Sequence, residues 1–292
     1  MGKKSTAILG IDIGGSGIKG APVDVKKGRL VTARHRIPTP QPATPKAVAQ
    51  TVARIHADLK IDGPIGCTVP GRVRKGVVET AANIDDAWIG TKASKLFKKH
   101  TGVPVAVLND ADAAGIAEVK FGAGRQSKGT TLLLTFGTGI GSALFIDGRL
   151  VPNTEFGHMR FDVYKGHVRI AEHFAADSVR SSEHLTWERW AKRRVQPVLE
   201  MYEFLLSPDL IIIGGGVSKP EKWEVFSPFL KTKAMLKPAE LGNEAGIVGA
   251  ALAASAAADS PHQKRSQQHW ERLPRQPIRS STAPTTTASS TG

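Results

Sequence analysis

Cysteine is almost absent from this sequence, since Cys67 is the only one among 292 residues. A single thiol can form neither an internal disulfide framework nor a cysteine-built zinc site. Long apolar runs are missing as well: no window approaches the roughly 18 apolar residues of a membrane-spanning helix, and Asp12 interrupts the first apolar run too early for a secretory signal. We therefore expect a cytoplasmic protein without a membrane partner.

Acidic side chains are outnumbered, because 26 Asp and Glu residues stand against 40 Lys and Arg residues and the net charge is +14. This excess favours an anionic partner such as nucleic acid, a phosphorylated substrate or a membrane surface, although a plain basic surface accounts for it equally. Part of the excess falls in residues 259–292, which are rich in Ser, Thr, Pro and Gln. Such a composition buries too little surface to offset its ordering entropy, which predicts a disordered basic tail.

The segment ILGIDIGGSGIKG, residues 8–20, contains the G-x-G-x-x-G spacing of a dinucleotide-binding turn. Such a turn opens a helix whose N-terminus holds the pyrophosphate. After Gly20 this chain instead continues with alternating apolar residues, a Lys-Lys-Gly turn and a further short apolar run, which is typical of strand, turn and strand. The glycines therefore predict a β-hairpin and argue against a dinucleotide site.

A second glycine hairpin is predicted over residues 132–151. Gly137-Thr138-Gly139-Ile140 echoes Gly15-Ser16-Gly17-Ile18, which indicates either a duplicated domain or chance similarity between two hairpins. Glycine lets backbone N–H groups converge on an anion without an intervening side chain. The two turns therefore predict the walls of a phosphate cleft, with Lys19 as an added positive charge and Asp12 as a carboxylate for magnesium.

A carboxylate also follows a third apolar run. Val103–Leu108 is typical of a buried strand, and Asn109-Asp110-Ala111-Asp112 opens an alanine-rich helix predicted to end near Gly122. A carboxylate at the end of such a strand faces the crevice of an α/β sheet, where it can accept the proton of an alcohol that attacks a phosphate. Helix capping by Asn109 or Asp112 accounts for the same pattern, so the spacing leaves both roles open.

The order of these motifs resembles that of the ROK-family sugar kinases. The resemblance covers residues 6 to about 255 and rests on DIGGSGIK from Asp12, LND from Leu108, GTGIG from Gly137, EFGH from Glu155 and IGGGVS from Ile213. It implies an α/β fold of the actin-like ATPase class, ribonuclease H-like and hexokinase-type, with two domains and a duplicated β-hairpin phosphate-binding core. The segment HLTWERWA from His184 further resembles the polyphosphate glucokinases, including bifunctional polyphosphate/ATP glucomannokinases.

The resemblance also implies a domain organisation and a reaction. A small N-terminal α/β domain would span residues 1–108 and a larger C-terminal α/β domain residues 109–242, while a helix at residues 243–258 would pack back on the first domain. The reaction would be a Mg²⁺-dependent transfer of the terminal phosphoryl group of polyphosphate or ATP to the 6-hydroxyl of glucose, with mannose as a possible second acceptor. The protein would be a monomer or a homodimer.

Asp110 would be the general base of this reaction. The resemblance implies sugar contacts for Asn109, Asp110, Glu155, His158, Gly71, Arg72, Asn83 and Glu172. It implies phosphate or nucleotide contacts for Asp12, Gly14, Gly15, Ser16, Gly17, Lys19, Thr135, Gly137, Thr138, Gly139, Gly214, Gly215 and Gly216. Asp12 would also hold Mg²⁺, through phosphate or water. We expect no structural zinc, because the three-cysteine cluster that follows the corresponding His in many relatives is absent here.

Other functions stay open at this stage. A strictly ATP-dependent sugar kinase would carry the same motifs. A sugar-sensing regulator would need a DNA-binding domain before the first hairpin, and we expect none because only seven residues precede Ile8. A general polyanion-binding protein would explain the charge but neither Asp12, Asn109-Asp110 nor the paired hairpins, and we expect no nucleic-acid partner.

Two basic clusters are candidates for guiding polyphosphate, because a linear polyanion binds best along a positive track. Each cluster is also consistent with a solvated helix face. The first comprises Lys92, Lys95, Lys98 and Lys99, and the second, beside Trp187 and Trp190, comprises Arg189, Lys192, Arg193 and Arg194.

Overall fold

We describe a computed structural model of the chain over residues 7–81, 84–162 and 166–259. The first sheet and the helices packed on it form what we call the first lobe. Its elements are β1 (Ala7–Ile13), β2 (Ile18–Asp24), β3 (Arg29–Leu30), β4 (His35–Ile37), α1 (Pro45–Leu59), β5 (Ile65–Val69), β6 (Val73–Arg74), β7 (Val77–Val78), α2 (Ala93–Thr101) and β8 (Val105–Asn109).

The second lobe is built around another sheet. Its elements are α3 (Asp110–Phe121), β9 (Thr130–Phe136), β10 (Ile140–Ile146), β11 (Arg149–Val151), β12 (Arg160–Asp162), β13 (Val168–Ile170), α4 (Ala171–Ala175), α5 (Asp177–Ser182), α6 (Trp187–Trp190), α7 (Gln196–Leu206), β14 (Leu210–Gly215), α8 (Pro220–Phe226) and β15 (Met235–Pro238). The last helix, α9 (Ala245–Asp259), follows them. A short π-helical stretch, Ala191–Val195, joins α6 to α7.

The two sheets repeat one arrangement. In the first, β1 pairs antiparallel with β2 and parallel with β5, so the order is β3-β2-β1-β5-β8 with β4 against β2. In the second, β9 pairs antiparallel with β10 and parallel with β14, and the order is β11-β10-β9-β14-β15. The predicted strand–turn–strand pattern after both glycine motifs is confirmed, and no helix follows Gly20.

Local sequence explains where α3 begins and ends. The side chain of Asn109 caps the helix, because its Oδ1 accepts hydrogen bonds from the backbone N–H groups of Ala111 at 2.8 Å and Asp112 at 3.0 Å. The amide of Gly122 closes the last turn on the carbonyl of Glu118. The predicted junction of a strand ending near residue 108 and an alanine-rich helix ending near Gly122 is confirmed. It places Asp110 at the carboxyl end of β8, where ligands bind in open α/β sheets.

Helix α9 contacts elements of both lobes through glycine. A Cβ atom on Gly10 of β1 would lie 1.9 Å from the Ile247 carbonyl oxygen, and one on Gly66 of β5 would lie 1.8 Å from that of Ala250. On the other side, a Cβ atom on Gly249 would lie 1.8 Å from the carbonyl oxygen of Ala113 in α3. Backbones approach this closely only where no side chain intervenes. The helix thus packs against β1, β5 and α3. The domain limits at residues 108 and 242 that the resemblance implies stay predictions.

Two regions named above fall outside the described residues. These are Asn83, expected to contact sugar, and the basic tail from residue 260 onward. Within the parts of the chain that are described, no helix combines the length and the apolar character needed to cross a membrane.

Candidate active site

Asp12 lies at the end of β1, beside the first glycine turn. The strand register sets it opposite Lys19, and Asp12 Oδ2 is 3.9 Å from Lys19 Nζ. The other oxygen, Oδ1, accepts a hydrogen bond of 2.9 Å from the hydroxyl of Thr68, whose oxygen in turn accepts the Ile13 N–H at 3.1 Å. The carboxylate is therefore fixed from β5 and remains open on the side of the cleft, with its side chain 22% exposed.

The first glycine turn is held from behind by β4. The guanidinium of Arg36 donates to the Ser16 carbonyl oxygen at 2.9 Å. A Cβ atom on Gly17 would lie 2.6 Å from Arg36 Nε, so a larger residue would displace this arginine. Arg36 thus places a cation beside a glycine-rich turn, and such a turn leaves its backbone accessible to an anion.

The second glycine turn joins β9 to β10. Its backbone closes through a hydrogen bond of 3.0 Å from the Gly137 N–H to the Gly139 carbonyl oxygen. Ser178 at the start of α5 supports it, since its N–H donates to Gly137 and its hydroxyl donates to the carbonyl of Thr138 at 2.7 Å. A Cβ atom on Gly139 would lie 2.4 Å from Glu172 Oε2, so a larger residue there would displace this carboxylate.

Asp110 lies between the two turns. The residue is exposed to the open cleft, which residues of both lobes line. The protein packed around its carboxylate removes part of its hydration and, together with the negative charge of Asp12, raises the pKa of Asp110 to about 7. The Ala111 N–H, which donates to Asp110 Oδ1 at 2.9 Å, acts in the opposite direction because it favours the charged form. A carboxylate with a pKa near neutrality can accept and release a proton at physiological pH.

Glu155, His158 and Glu172 form the wall of the cleft opposite the first lobe. His158 bridges the two carboxylates: Nδ1 lies 3.2 Å from Glu155 Oε2, and Nε2 lies 3.2 Å from Glu172 Oε1. Burial raises the pKa of Glu155, and the nearby His158 and Arg72 partly oppose this effect. Glu172 comes from α4, and Glu155 and His158 come from the loop between β11 and β12. Together they offer several hydrogen-bonding groups to a polyhydroxyl ligand.

These groups line a cleft of about 540 Å³. Of the residues expected to bind sugar or phosphate, it brings together Gly14, Gly15, Ser16, Gly71, Asn109, Asp110, Thr135, Gly137, Thr138, Gly139, Glu155, His158, Glu172 and Gly215. An adjoining cavity of about 180 Å³ is lined by Asp12, Lys19 and Gly214 and shares Asp110, Thr135 and Gly215 with the cleft.

The other expected residues lie at the margins. Gly17 belongs to the first turn, and Gly216 follows Gly215 at the exposed start of a short 3₁₀ turn. Arg72 stands close enough to Glu155 to lower the pKa of that carboxyl, and its buried Nε has no hydrogen-bond partner within the described structure.

The sequence interpretation missed several residues that shape the site. Thr68 orients Asp12, and Arg36 supports the first turn. Tyr202 donates from its hydroxyl to the Phe156 carbonyl at 2.6 Å, and burial raises its pKa. Glu118, fully buried in α3, accepts the N–H groups of Glu240 and Leu241. Each of them is a single polar residue outside any motif, so no local sequence signal indicated its role.

Comparison with known proteins identifies the family. The sequence profile of the ROK family matches residues 8–176. This chain belongs to the ROK family. Polyphosphate glucokinase of Mycobacterium tuberculosis (strain CDC 1551 / Oshkosh) is 49% identical over 256 residues, which are 87% of this chain and 92% of that protein. Polyphosphate glucokinase of Mycobacterium leprae (strain TN) is 48% identical over 250 residues, which are 85% of this chain and 74% of that protein.

Solved structures agree with this assignment. The inorganic polyphosphate/ATP-glucomannokinase from Arthrobacter sp. strain KM matches with a TM-score of 0.79 and 46% identity, over 86% of this chain and 99% of that chain. The ROK hexokinase from Thermus thermophilus matches with a TM-score of 0.64 and 26% identity, over 87% of this ROK chain and 99% of the hexokinase. The predicted actin-like ATPase fold of hexokinase type is therefore confirmed.

Proposed function

We propose that this ROK protein transfers the terminal phosphoryl group of inorganic polyphosphate or ATP to the 6-hydroxyl of glucose, and that mannose is a second acceptor. The observation that carries the proposal is the position of Asp110, in one cleft with both glycine turns and the Glu155–His158 wall. Relatives at 49% and 46% identity, named polyphosphate glucokinase and polyphosphate/ATP-glucomannokinase, support the same reaction.

The chemical step uses Asp110 as general base. The sugar hydroxyl attacks the terminal phosphorus while the Asp110 carboxylate takes the hydroxyl proton. A phosphorus–oxygen bond to the sugar forms as the bond to the bridging donor oxygen breaks, and the shortened donor leaves with that electron pair. A pKa of about 7 suits this role, because a general base works best when its pKa lies near the operating pH.

The sugar is held on both sides of the base. Glu155, His158 and Glu172 would hydrogen-bond its hydroxyl groups from the second lobe, where both His158 nitrogens already face carboxylates. Asn109, the last residue of β8, lines the cleft from the first lobe, and its Nδ2 donates to the Gly71 carbonyl oxygen at 3.1 Å. Holding the acceptor between fixed groups aligns its hydroxyl with the phosphorus, which supplies much of the rate in phosphoryl transfer.

The phosphates would lie on the glycine turns. Residues of both turns line the cleft, and Lys19 lines the adjoining cavity. Gly214 and Gly215 line that cavity too, where they leave room for the nucleoside of ATP. The same cleft would then bind the terminal phosphates of either donor, polyphosphate or ATP.

The residues present fit a magnesium ion. Mg²⁺ is usually bound by one or two carboxylates together with water and substrate phosphates. Asp12 offers such a carboxylate, and its charge already acts on Asp110. Within the described ranges no group of three or more His, Cys, Asp or Glu is arranged so that it could hold a metal ion, so donor phosphates and water would complete the ligand set. Bound there, the ion would neutralise charge on the transferred group.

The far end of the donor would meet Lys222 at the mouth of the cleft. A Cβ atom on Gly216 would lie 3.9 Å from Lys222 Nζ, and this nitrogen lies 5.8 Å from the centre of the Trp187 ring. Arg180 covers the same ring, with its Cζ at 3.8 Å, but it is also paired with Asp177 at 2.7 Å. No carboxylate in the described parts of the chain pairs with Lys222, so its charge is free for a phosphate.

The two clusters suggested by sequence are less well placed for this role. In the second, Lys192 is paired with Glu188 at 2.6 Å and Arg194 with Glu183. Arg189 and Arg193 both line two surface grooves that share no lining residue with the cleft. The first cluster consists of three lysines on α2 and of Lys92 just before it, and none of the four lines the described cleft or its adjoining cavity.

The proposed reaction is tested by a coupled assay of sugar phosphorylation with Mg²⁺. Long-chain polyphosphate, ATP and no donor are each compared with glucose and with mannose. We expect activity with both donors, and a loss of at least about a hundredfold in Asp110→Asn because it lacks a base. The matched control is Asp58→Asn, which alters an exposed carboxylate paired with His35 on the surface. A folded wild type without activity on either sugar would overturn the proposal and favour a binding role.

The donor path is tested by comparing Lys222→Ala with Lys192→Ala. Removing an unpaired cation that faces phosphate should raise the KM for polyphosphate by about fivefold to tenfold. Removing the paired Lys192 should leave it unchanged. The opposite ranking would place the track along the Arg189–Arg194 segment.

A further inference from the structure

Two asparagine side chains hold one short segment of the first lobe: Asn109 from the end of β8 in the same lobe, and Asn153 from the second lobe. Asn109 donates to the carbonyl oxygen of Gly71 at 3.1 Å. Asn153 holds Val73 at both backbone groups: its Oδ1 accepts the Val73 N–H at 2.8 Å, and its Nδ2 donates to the Val73 carbonyl oxygen at 3.0 Å. Arg72 lies between these two attachment points.

Asn153 is itself fixed to the helix that carries the base. Its backbone N–H donates to Asp112 Oδ2 at 2.9 Å, and Asp112, only 2% exposed, is two residues from Asp110 in α3. The backbone of Asn153 has a φ of 60°, in the left-handed region that Asn tolerates better than most residues. A continuous chain of hydrogen bonds therefore runs from α3 through Asn153 to β6.

Asparagine suits this position for a chemical reason. Its amide offers one donor and one acceptor in a plane, so it pairs with Val73 as a neighbouring strand would. Aspartate keeps the acceptor but turns a second oxygen toward the Val73 carbonyl. Glycine keeps the left-handed backbone and removes both bonds.

Asn153 lies next to the side of the cleft where Glu155 and His158 would bind the sugar. Asn153 precedes Glu155 by two residues, and Arg72 acts electrostatically on Glu155. The same asparagine thus sets how far Gly71 and Arg72 stand from the Glu155–His158 wall. The phosphate turns are held by other contacts, through Arg36 and Ser178.

We infer that Asn153 is a positioning residue for the sugar: it locks the Gly71–Val73 segment against the Glu155–His158 wall and thereby determines affinity for the hexose. This inference rests on the proposed function. It predicts a change in affinity for the sugar and none for the phosphoryl donor, because the hydrogen bonds of Asn153 hold the segment that faces the Glu155–His158 wall and neither glycine turn.

The test compares wild type, Asn153→Gly and Asn153→Asp in the phosphorylation assay. Loss of two hydrogen bonds in Asn153→Gly should raise the KM for glucose by about tenfold, while kcat and the KM for polyphosphate stay within about twofold. Asn153→Asp should raise the KM for glucose as well, since it loses the bond to the Val73 carbonyl and places an anion there. The matched control is Gln126→Gly, which removes an exposed side chain from another residue with positive φ, 73°.

Equilibrium binding of glucose without donor, measured by calorimetry, separates the outcomes. A glucose KM and Kd unchanged in both variants, with an active wild type, would overturn the inference and leave the proposed function standing. Equal rises in the KM for glucose and for polyphosphate would also overturn it, because they indicate a general structural defect. An inactive wild type that binds no glucose would overturn both. If Asn153→Gly does not fold, Asn153→Asp decides.

Discussion

Replacing Gly66 by alanine should loosen α9 from the first sheet. The added methyl carbon would lie 1.8 Å from the Ala250 carbonyl oxygen, whereas ordinary contacts begin at 3.4 Å, so strand and helix would have to separate by about 1.6 Å. Overpacking of this kind costs about 1–3 kcal/mol, and the reduced freedom of the unfolded chain returns only about 0.4–1 kcal/mol. We expect a net loss of about 1.3 kcal/mol, which corresponds to a Tm lower by about 3–5 °C.

Thermal unfolding followed by circular dichroism measures this change. Gly137→Ala is the control for stability, because a Cβ atom there meets no atom within 4 Å and its φ lies outside the left-handed region. Its methyl group would project into the phosphate cleft, so it should lose activity and keep its Tm. The reasoning would be refuted by a Gly66→Ala protein whose Tm equals that of Gly137→Ala, since α9 could not then lie this close to β5.

Three further predictions concern the carboxylates of Asp110 and Glu118. With a pKa of about 7 for Asp110, kcat/KM for glucose should fall about tenfold between pH 8 and pH 6, because the base must be ionised; a flat profile over this range would contradict the assignment. Because the pKa of Asp110 is raised from 3.8 to about 7 in the folded state, ionisation of this carboxyl lowers the free energy of unfolding as the pH rises through that interval. Asp110→Asn should therefore raise the Tm at pH 8 and have a smaller effect at pH 5. Glu118→Gln should lower the free energy of unfolding by about 1–3 kcal/mol in urea titrations, since an amide nitrogen would face the N–H groups of Glu240 and Leu241, and an unchanged midpoint would argue against that contact.

The outline of the phosphate-binding core could be predicted from local patterns. The alternation of apolar residues after Gly20 indicated a second strand, and β2 does follow the turn. The repeated glycine motif indicated a second hairpin, and the two sheets share one arrangement of strands. The Asn109–Asp110 junction was open between capping and catalysis, and the structure shows that Asn109 caps α3 while Asp110 stands in the cleft.

Long-range contacts could not be predicted in this way. Glu172 follows His158 by 14 residues in the chain, and local spacing does not predict that its carboxylate lies 3.2 Å from that imidazole. The basic clusters were chosen for their spacing along helices, whereas the cation nearest the Gly216 turn is Lys222 on α8. Spacing along a helix predicts which charged side chains lie on the same face, but it does not predict which part of the fold lies next to that face.

The sequence by itself determined the elements, the turns and the order of motifs, because these depend on neighbours within a few residues: apolar periodicity, glycine in the turns and an asparagine cap. Only the tertiary structure decided which side chains hold the site in place. Thr68 reaches Asp12 across 56 residues, Asn153 reaches Val73 across 80, and Glu118 reaches Leu241 across 123. Such contacts join segments that are far apart in the chain, and the packing of the two lobes brings these segments together. No short stretch of sequence therefore predicts them.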